Sequence, residues 1–319
     1  MKQNFEPIIA SDGAALELLR KEFPKLKAIE LPSYNISYPK KGSLHGHFVK
    51  QLPHFIKTYL KERQHLKAIV AQEQLEGIIS DNRFGVWHQD IPSVYITHQL
   101  TVLSGFTTYM STYLHRFIIH KFDECWVPDD ENQTYSGILS RTENLKTKVK
   151  HLGVISRFTN LQTSPTYDLT IVLSGPEPSR TQLEKILIEQ LKNYQGAICF
   201  VRGLPLEIAT LNPIEGIRFY NYLTARELNL LLSQSKLVLA RSGYSTLMDV
   251  AVLGKKVFFI PTPGQTEQEY LAQFHQQKRN ATYCNQDEFT LEKLFEMDDI
   301  KGFSPQKTHI PSNLFDVFK

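Results

Sequence analysis

Short apolar, β-rich runs alternate with helical patterns along almost the whole chain: EPIIA, LKAIEL, EGIIS, SVYIT and ECWVP in the first half, then DLTIVLS, AICFV, IRFYN, KLVLA and KVFFI in the second. That alternation is the mark of βαβ units and parallel sheets. The 319 residues are too many for one small module and suit two domains of ordinary size. HLGVISRFTNLQTSPTY, residues 151–167, has no sustained period and carries Gly153, Asn160, Ser164 and Pro165, so the division falls there. The expected layout is an N-terminal domain over 1–155, a second over 156–300 and a tail over 301–319.

Composition removes several classes of function. With 41% hydrophobic and 22% charged residues and a net charge of +3, the chain is an ordinary globular protein and not a disordered or supercharged one. A pI near 8.5 without a nucleic-acid motif predicts no nucleic-acid partner. No run reaches the ~18 apolar residues of a membrane span, and MKQNFEPIIA lacks the layout of a secretory signal. A cytoplasmic protein, or one peripheral to the inner face of a membrane, is expected. Cys125, Cys199 and Cys284 are too scattered for a disulfide framework or a CxxC site. His45-Gly46-His47 has metal spacing but no nearby carboxylate or cysteine, and no metal is expected.

Ser179 with Gln182, Thr224 with Glu227 and Thr266 with Glu269 have capping-box spacing and mark three helix starts. Asp129, Asp130 and Glu131 after Pro128 read as a fourth, complementing a helix dipole. Phe106, Tyr109, Tyr113 and Phe117 form an aromatic stripe at helical spacing, expected to pack in the core; the alternative is an acceptor or lipid-facing groove, since Arg116, His120 and Lys121 lie nearby. Lys146, Lys148 and Lys150 read as solvated.

The chemistry concentrates in LVLARSGYSTLMDVAVLGKKVFFIP, residues 237–261. A buried strand ends at Arg241, a Ser242-Gly243 turn follows, and a helix opens near Tyr244, presenting free amides and a positive dipole end to an anion. Arg241 would add to that field, and Asp249 could accept both hydroxyls of a ribose. The bland alternative is a plain strand-turn-helix with a solvated aspartate. Next, FFIPTPGQTEQEYLA crowds Gln265, Thr266, Glu267, Gln268 and Glu269 into one helix start, suited either to sugar hydroxyls or to capping. In the first half, IISDNRFG (78–85) and YITHQL (95–100) follow buried strands and bring Asp81, Asn82, Arg83, His98 and Gln99 to strand carboxyl ends, where open α/β sheets bind ligands.

RSGYSTLMD followed by PTPGQTEQEY resembles the C-terminal domain of GT-B glycosyltransferases of family 28 over most of residues 150–285, and more loosely over 5–150. SRF at 156–158, VLSGPEP at 172–178 and YLT at 222–224 fit the same pattern. The best-known member adds N-acetylglucosamine to a lipid-linked peptidoglycan precursor, a bacterial cell-envelope setting. The resemblance implies two Rossmann-like α/β domains facing across a cleft, and transfer of a sugar, with inversion, from a nucleotide diphosphate donor, most simply a UDP-sugar. No metal or other cofactor is implied. The acceptor hydroxyl, on a lipid-linked or small molecule, stays unidentified. Arg157, Ser174, Gly175, Ser242 and Gly243 would surround the diphosphate with Arg241, Leu223 would lie against the base, and Asp249 would replace the family's ribose glutamate. Gln268 and Glu269 would replace its Gln-Gln pair on the sugar. VLSGPEP departs from the Gly-Gly-Ser style of the peptidoglycan enzyme, since Pro176 and Pro178 remove two amide donors. Asp81 and His98 are the candidate bases, with Asn82, Arg83 and Gln99 on the acceptor side. The family's first strand and Gly-rich loop would precede NFEPIIASDG, so the N-terminal domain is expected to be incomplete. Two alternatives remain open: a non-catalytic nucleotide-sugar-binding partner or truncated relative, and a UDP-sugar 2-epimerase.

Overall fold

The computed structural model describes residues 5–34, 44–143, 145–205, 214–297 and 300–319, with backbone alone for 44–52 and 106. The first half runs β1 (Ile9–Ser11), α1 (Gly13–Glu22), β2 (Ala28–Glu30), α2 (Leu44–Glu73), β3 (Ile78–Asp81), β4 (Ser93–Ile96), α3 (Thr108–Ile119), β5 (Glu124–Val127) and β6 (Lys148–His151). The second runs β7 (Tyr167–Val172), α4 (Ser179–Leu191), β8 (Ile198–Val201), β9 (Ile217–Tyr220), α5 (Ala225–Ser233), β10 (Ser235–Ala240), α6 (Tyr244–Leu253), β11 (Lys256–Phe259), α7 (Thr266–Gln277) and β12 (Ala281–Tyr283). Among the described residues, every pairing between these strands is parallel. The α/β class read from the sequence is therefore the observed one.

The second half is one six-stranded sheet in the order β12-β11-β10-β7-β8-β9. Read from β9, this is the doubly wound order 3-2-1-4-5-6, whose direction reverses between β7 and β10. Its strands are mostly apolar because both faces are covered. Val238 and Ala240 of β10 pack with Leu247 and Ala251 of α6, whereas Leu239 points the other way, toward Leu183 and Leu187 of α4. In the first half the strands form two sheets, β1-β2 and β3-β4-β5-β6. β6 ends at His151 and β7 begins at Tyr167, with coil between.

The tail crosses from one half to the other. Phe303 is buried beside α6 and α7, and Leu314 is buried with Val94, Trp126 and Leu152 of the first half. Lys150 donates to the carbonyls of Asn313 and Leu314.

Several local readings need correction. Of the three capping boxes only Thr224 with Glu227 forms; Ser179 and Thr266 are instead the first residues of their helices, and Thr266 Oγ1 donates to Leu103 O. Asp129 starts no helix dipole. It is fully buried and accepts from the amides of Asp130, Tyr135 and Ser136 and from Ser136 Oγ, closing a loop before the short 3-10 turn Gly137–Ser140. Lys150, read as solvated, is largely covered and pairs with the buried Glu124 at 2.9 Å; Lys148 pairs with the same carboxylate at 2.8 Å but stays exposed as read. Tyr109, Tyr113 and Phe117 are not core: with Met110 and Leu114 they form an exposed face, because α3 buries His115 and Ile119 instead. His45, His47 and Phe106 lie outside the described side chains.

Glu62 on α2 holds the first half together at its upper edge. It is fully buried and accepts from Tyr34 Oη (2.6 Å), Arg83 Nε (2.7 Å) and the Gly85 amide (2.9 Å). Removing one partner of a buried ion pair leaves the other uncompensated, at a cost of about 3–5 kcal/mol. Glu62→Ala is expected to lose stability on that scale in urea denaturation, and Glu17→Ala, whose ion pair is exposed, less than about 1 kcal/mol.

Candidate functional site

The reversal between β7 and β10 opens a crevice at their carboxyl ends, and the loops leaving β7, β10 and β11 meet there. After β7 the chain turns at Ser174 and Gly175, both exposed. Gly175 has φ +106°, a conformation side chains rarely adopt, and a Cβ placed on it would lie 3.7 Å from Thr262 Oγ1. After β10, Ser242 Oγ donates to Gln268 O at 2.7 Å, and Gly243 is the N-cap of α6 without a side-chain cap. The first amides of α6 are thus free to meet an anion. After β11, the Thr262 amide donates to Gln268 Oε1 at 2.8 Å. Thr262 Oγ1 itself is buried and has no partner. Ser174, Gly175, Ser242, Gly243 and Gln268 therefore converge as the sequence suggests, around a threonine that the sequence reading passed over.

Arg241 does not belong to that surface. Its side chain is 1% exposed, and the guanidinium donates to the carbonyls of Ile260, Pro261 and Ser179 and to Gln286 Oε1 at 2.7–3.1 Å. Burial lowers its pKa to about 10. The expectation that Arg241 faces the diphosphate is corrected: a long cation below the strand end finds buried carbonyls first, and ties the β10 turn to the loop after β11. Gln268 and Glu269 are also partly engaged, since Glu269 Oε1 accepts from the Gly264 amide at 3.0 Å.

Asp249 lies five residues into α6, about 7.5 Å along the helix from Tyr244. Ser156 Oγ donates to Asp249 Oδ1 at 2.5 Å, so the SRF stretch meets α6. Burial raises the Asp249 pKa to about 6, with Ser156 and Arg157 pulling it back. Arg157 is half-exposed and 3.6 Å from Glu22 of α1, a residue that also accepts from Tyr222 Oη and the Ala225 amide. Leu223 is buried beside Val201 and Leu231.

Across the crevice stand the first-half loops. His98 Nε2 is 2.7 Å from Glu267 Oε1, and its ring stacks on Tyr244 with centroids 3.8 Å apart and an interplanar angle of 6°. Gln99 Nε2 donates to the other oxygen of Glu267. Asp81 ends β3 near them; desolvation raises its pKa, and the charge of His98 acts in the opposite sense. Asn82 takes a left-handed conformation (φ 53°) and accepts from Tyr95 Oη at 2.9 Å. Arg83 is committed elsewhere, with Nε on Glu62, Nη1 on Asp12 and Nη2 on Pro32 O, so its assignment to the acceptor side is corrected to a scaffold role. Glu267 and Tyr244 join the site only through the tertiary fold, as both belong to the second half.

The arrangement offers a helix N-terminus, an unpaired buried hydroxyl and a tight glycine turn for a diphosphate, a carboxylate for a diol, and an imidazole–carboxylate pair opposite them.

Residues 206–300 match the model of the glycosyltransferase family 28 C-terminal domain. No curated protein matches the chain in sequence. Among solved structures, CalG4, the calicheamicin glycosyltransferase, is similar over 98% of this chain and 91% of its own, with TM-score 0.62 and 9% identity. MurG of Acinetobacter baumannii is similar over 94% and 84%, with TM-score 0.52 and 13% identity. UGT2 of Phytolacca americana, complexed with UDP-2-fluoro-glucose and pterostilbene, is similar over 94% and 83%, with TM-score 0.55 and 15% identity. The two parallel α/β halves share the GT-B fold of these solved structures, and the second half carries the stretch similar to the family 28 C-terminal domain.

Arg241→Leu is expected to cost on the order of 3–5 kcal/mol in urea denaturation, since it strands three buried acceptors and a half-buried one. Arg241→Lys recovers little of this, because an ammonium cannot reproduce the planar fork. A variant of unchanged stability would return Arg241 to the ligand.

Proposed function

We propose that this glycosyltransferase takes a sugar from a nucleotide diphosphate, a UDP-sugar in the first instance, and passes it to an acceptor hydroxyl with inversion at the anomeric carbon. The observation that carries this reading is the convergence of the β7, β10 and β11 loops on the unpartnered Thr262 hydroxyl, together with the pairing of His98 with Glu267 between the two halves. The diphosphate sits at the amino end of α6, with the turn at Ser174 and Gly175 and the Thr262 hydroxyl on its oxygens. Asp249 accepts from the ribose, Leu223 lies toward the base, and Gln268 and Glu269 reach the sugar.

In the reaction, a base removes the acceptor proton, the acceptor oxygen bonds to the anomeric carbon, and the bond from that carbon to the phosphate oxygen breaks on the opposite side. The departing pair of electrons stays on the diphosphate, where fixed amides and hydroxyls already point at the charge. His98, held by Glu267, is the base of this reading, in the way a carboxylate orients an imidazole. Asp81 is the second candidate, its raised pKa bringing it closer to the working range.

Peripheral membrane contact belongs to the same proposal. None of the described helices is long and apolar enough to cross a membrane. α3, however, presents Tyr109, Met110, Tyr113, Leu114 and Phe117 to solvent, with Lys121 Nζ 4.8 Å from the Phe117 ring centroid. Such an aromatic and cationic face suits an anionic lipid surface. Salt-sensitive co-sedimentation with phosphatidylglycerol vesicles is expected, lost in Tyr113→Ser/Phe117→Ser; binding unaffected by the double change removes this element.

Calorimetric titration with UDP, GDP and dTDP and their sugar conjugates tests the donor site. One nucleotide is expected to bind, and Asp249→Ala to weaken it by about 1–3 kcal/mol. Thr262→Val is expected to lower affinity several-fold while leaving stability unchanged or raised, since its buried hydroxyl has no partner to lose. Folded protein that binds none of these nucleotides overturns the reading.

The pH dependence follows from the Asp249 pKa near 6. The folded chain keeps this proton where the unfolded chain, with an aspartate pKa near 3.9, has lost it. The contribution of Asp249 to stability therefore falls as pH rises from about 4 to about 6, and Asp249→Asn should flatten that slope in denaturation curves. Nucleotide affinity should run the other way, declining below about pH 6 in the parent chain and not in Asp249→Asn.

A further inference from the structure

Glu22 is the last residue of α1, where a carboxylate faces the negative end of its own helix dipole. Its place is set from the other half of the molecule. Glu22 Oε1 accepts from the Ala225 amide at 3.0 Å and from Tyr222 Oη at 3.3 Å, and lies 3.6 Å from Arg157 Nη1. Ala225 opens α5, whose amino end already has its own capping box in Thr224 and Glu227, so Glu22 brings a further carboxylate there from a different domain. Beside it, Lys21 Nζ donates to Pro205 O at 3.1 Å. The end of α1 thus rests on the loops that follow β8 and β9, at the carboxyl edge of the second sheet, where the crevice opens.

Arg157 differs from the other arginines near the crevice. Arg83 and Arg241 are enclosed by acceptors at hydrogen-bond distance. The Arg157 side chain is 46% exposed, with Glu22 at 3.6 Å, beyond hydrogen-bond length, and the Phe158 ring centroid at 5.3 Å. Among the described residues its guanidinium makes no hydrogen bond. The neighbouring Ser156 is fixed by its bond to Asp249, so the Arg157 side chain extends toward α1 from an anchor on α6. Arg157 is also close enough to Asp249 to pull that carboxyl pKa down. It therefore stands between Glu22 of the first half and Asp249 of the second. An ion pair this exposed holds its partners weakly, because water screens it. A diphosphate carries more charge and offers the planar guanidinium two oxygens at once, and so is the stronger partner.

We propose that Glu22 is an internal anion that keeps Arg157 occupied until a donor diphosphate takes it, and that this exchange releases the end of α1 from the second half. The proposal rests on the reading of the crevice as a nucleotide diphosphate site. When Arg157 turns to the diphosphate, Glu22 loses its cation and is left with a second anion nearby. Its carboxylate then holds only the Ala225 amide and the Tyr222 hydroxyl, against repulsion from the ligand and from its own helix end. The first half opens at α1, while α7 keeps its contacts with Ile138 and Tyr135. A nucleoside has no phosphate charge to offer Arg157 and leaves this latch shut.

UDP is the probe, replaced by GDP or dTDP should one of those be the nucleotide that binds, with the matching nucleoside as control. Glu22→Gln keeps an oxygen for the Ala225 amide and removes the charge. It should bind the nucleoside diphosphate about two- to fivefold more tightly than the parent chain, the factor an exposed ion pair is worth, and the nucleoside equally well. In an Arg157→Gln background the same change at Glu22 should have no effect, since the cation is gone. Amide exchange at Ala225 should quicken severalfold when the diphosphate is added to the parent chain, and not with the nucleoside. Spin labels at Glu17→Cys on α1 and Glu189→Cys on α4, both exposed, should move apart under the same condition; the native cysteines are buried. Diphosphate binding that Glu22→Gln does not strengthen, or that leaves both the Ala225 amide and the label distance unchanged, overturns the inference and leaves the donor site standing. A gain that persists in the Arg157→Gln background assigns the effect to the helix end instead of Arg157 and overturns it too. Folded protein that binds none of the three nucleotides overturns both the inference and the reading beneath it.

Discussion

The candidate site depends on the pairing of β7 with β10, two strands that the chain makes about 65 residues apart. They are the neighbours between which the sheet reverses direction, so no crossover helix covers their carboxyl ends. Both are largely apolar on both faces, which alone would make a register slip inexpensive. The buried hydroxyls of Thr170 and Ser235 oppose a slip. They bond at 2.6 Å, and Ser235 Oγ also reaches Leu231 O. A two-residue slide would part them inside the core, where each unpaired hydroxyl costs on the order of 1–3 kcal/mol.

From that frame the two halves are joined along one helix. α7 begins at the crevice and ends against the first half, where Tyr270 Oη accepts from the Ile138 amide and His275 Nε2 meets Tyr135 O at 2.8 Å. Gly137 is part of the fit: it has φ +55°, and a Cβ there would fall 2.1 Å from Tyr270 Oη. Burial holds the pKa of His275 near 4, so this contact is made by a neutral imidazole. Glu267, in the first turn of α7, reaches His98 and Gln99. The same helix thus contributes to both walls of the crevice, and a movement of one half is felt by both.

A few charges point inward and shape the loops around the crevice. Arg241, Asp129 and Glu62 are buried, and each is surrounded by fixed partners that shape a loop. The groups left at the crevice are weaker by contrast: helix amides, a threonine hydroxyl, and carboxyls whose pKa values burial raises. A site built this way offers an anion preorganised dipoles, while Arg241 is bound instead to the scaffold.

Much of this was legible in the chain itself. The alternation of apolar runs with helical spacing determines a parallel α/β protein, and strand-turn-helix chemistry at Ser242 and Gly243 and at Gly175 determines where an anion could be met, because free helix amides and positive-φ turns are properties of local sequence. Long-range partners are not. Nothing near Arg241 foretells that Ile260, Pro261, Ser179 and Gln286 will surround it, or near Arg83 that Glu62 and Asp12 will claim it. The α3 stripe has the spacing of a buried face, yet which side of a helix is covered depends on what packs there, and α3 turns His115 and Ile119 inward. His98 could be a solvated loop residue or a base on local grounds alone. Its stacking on Tyr244 and its bond to Glu267, 146 and 169 residues away in the chain, exist only because the crevice brings two domains face to face.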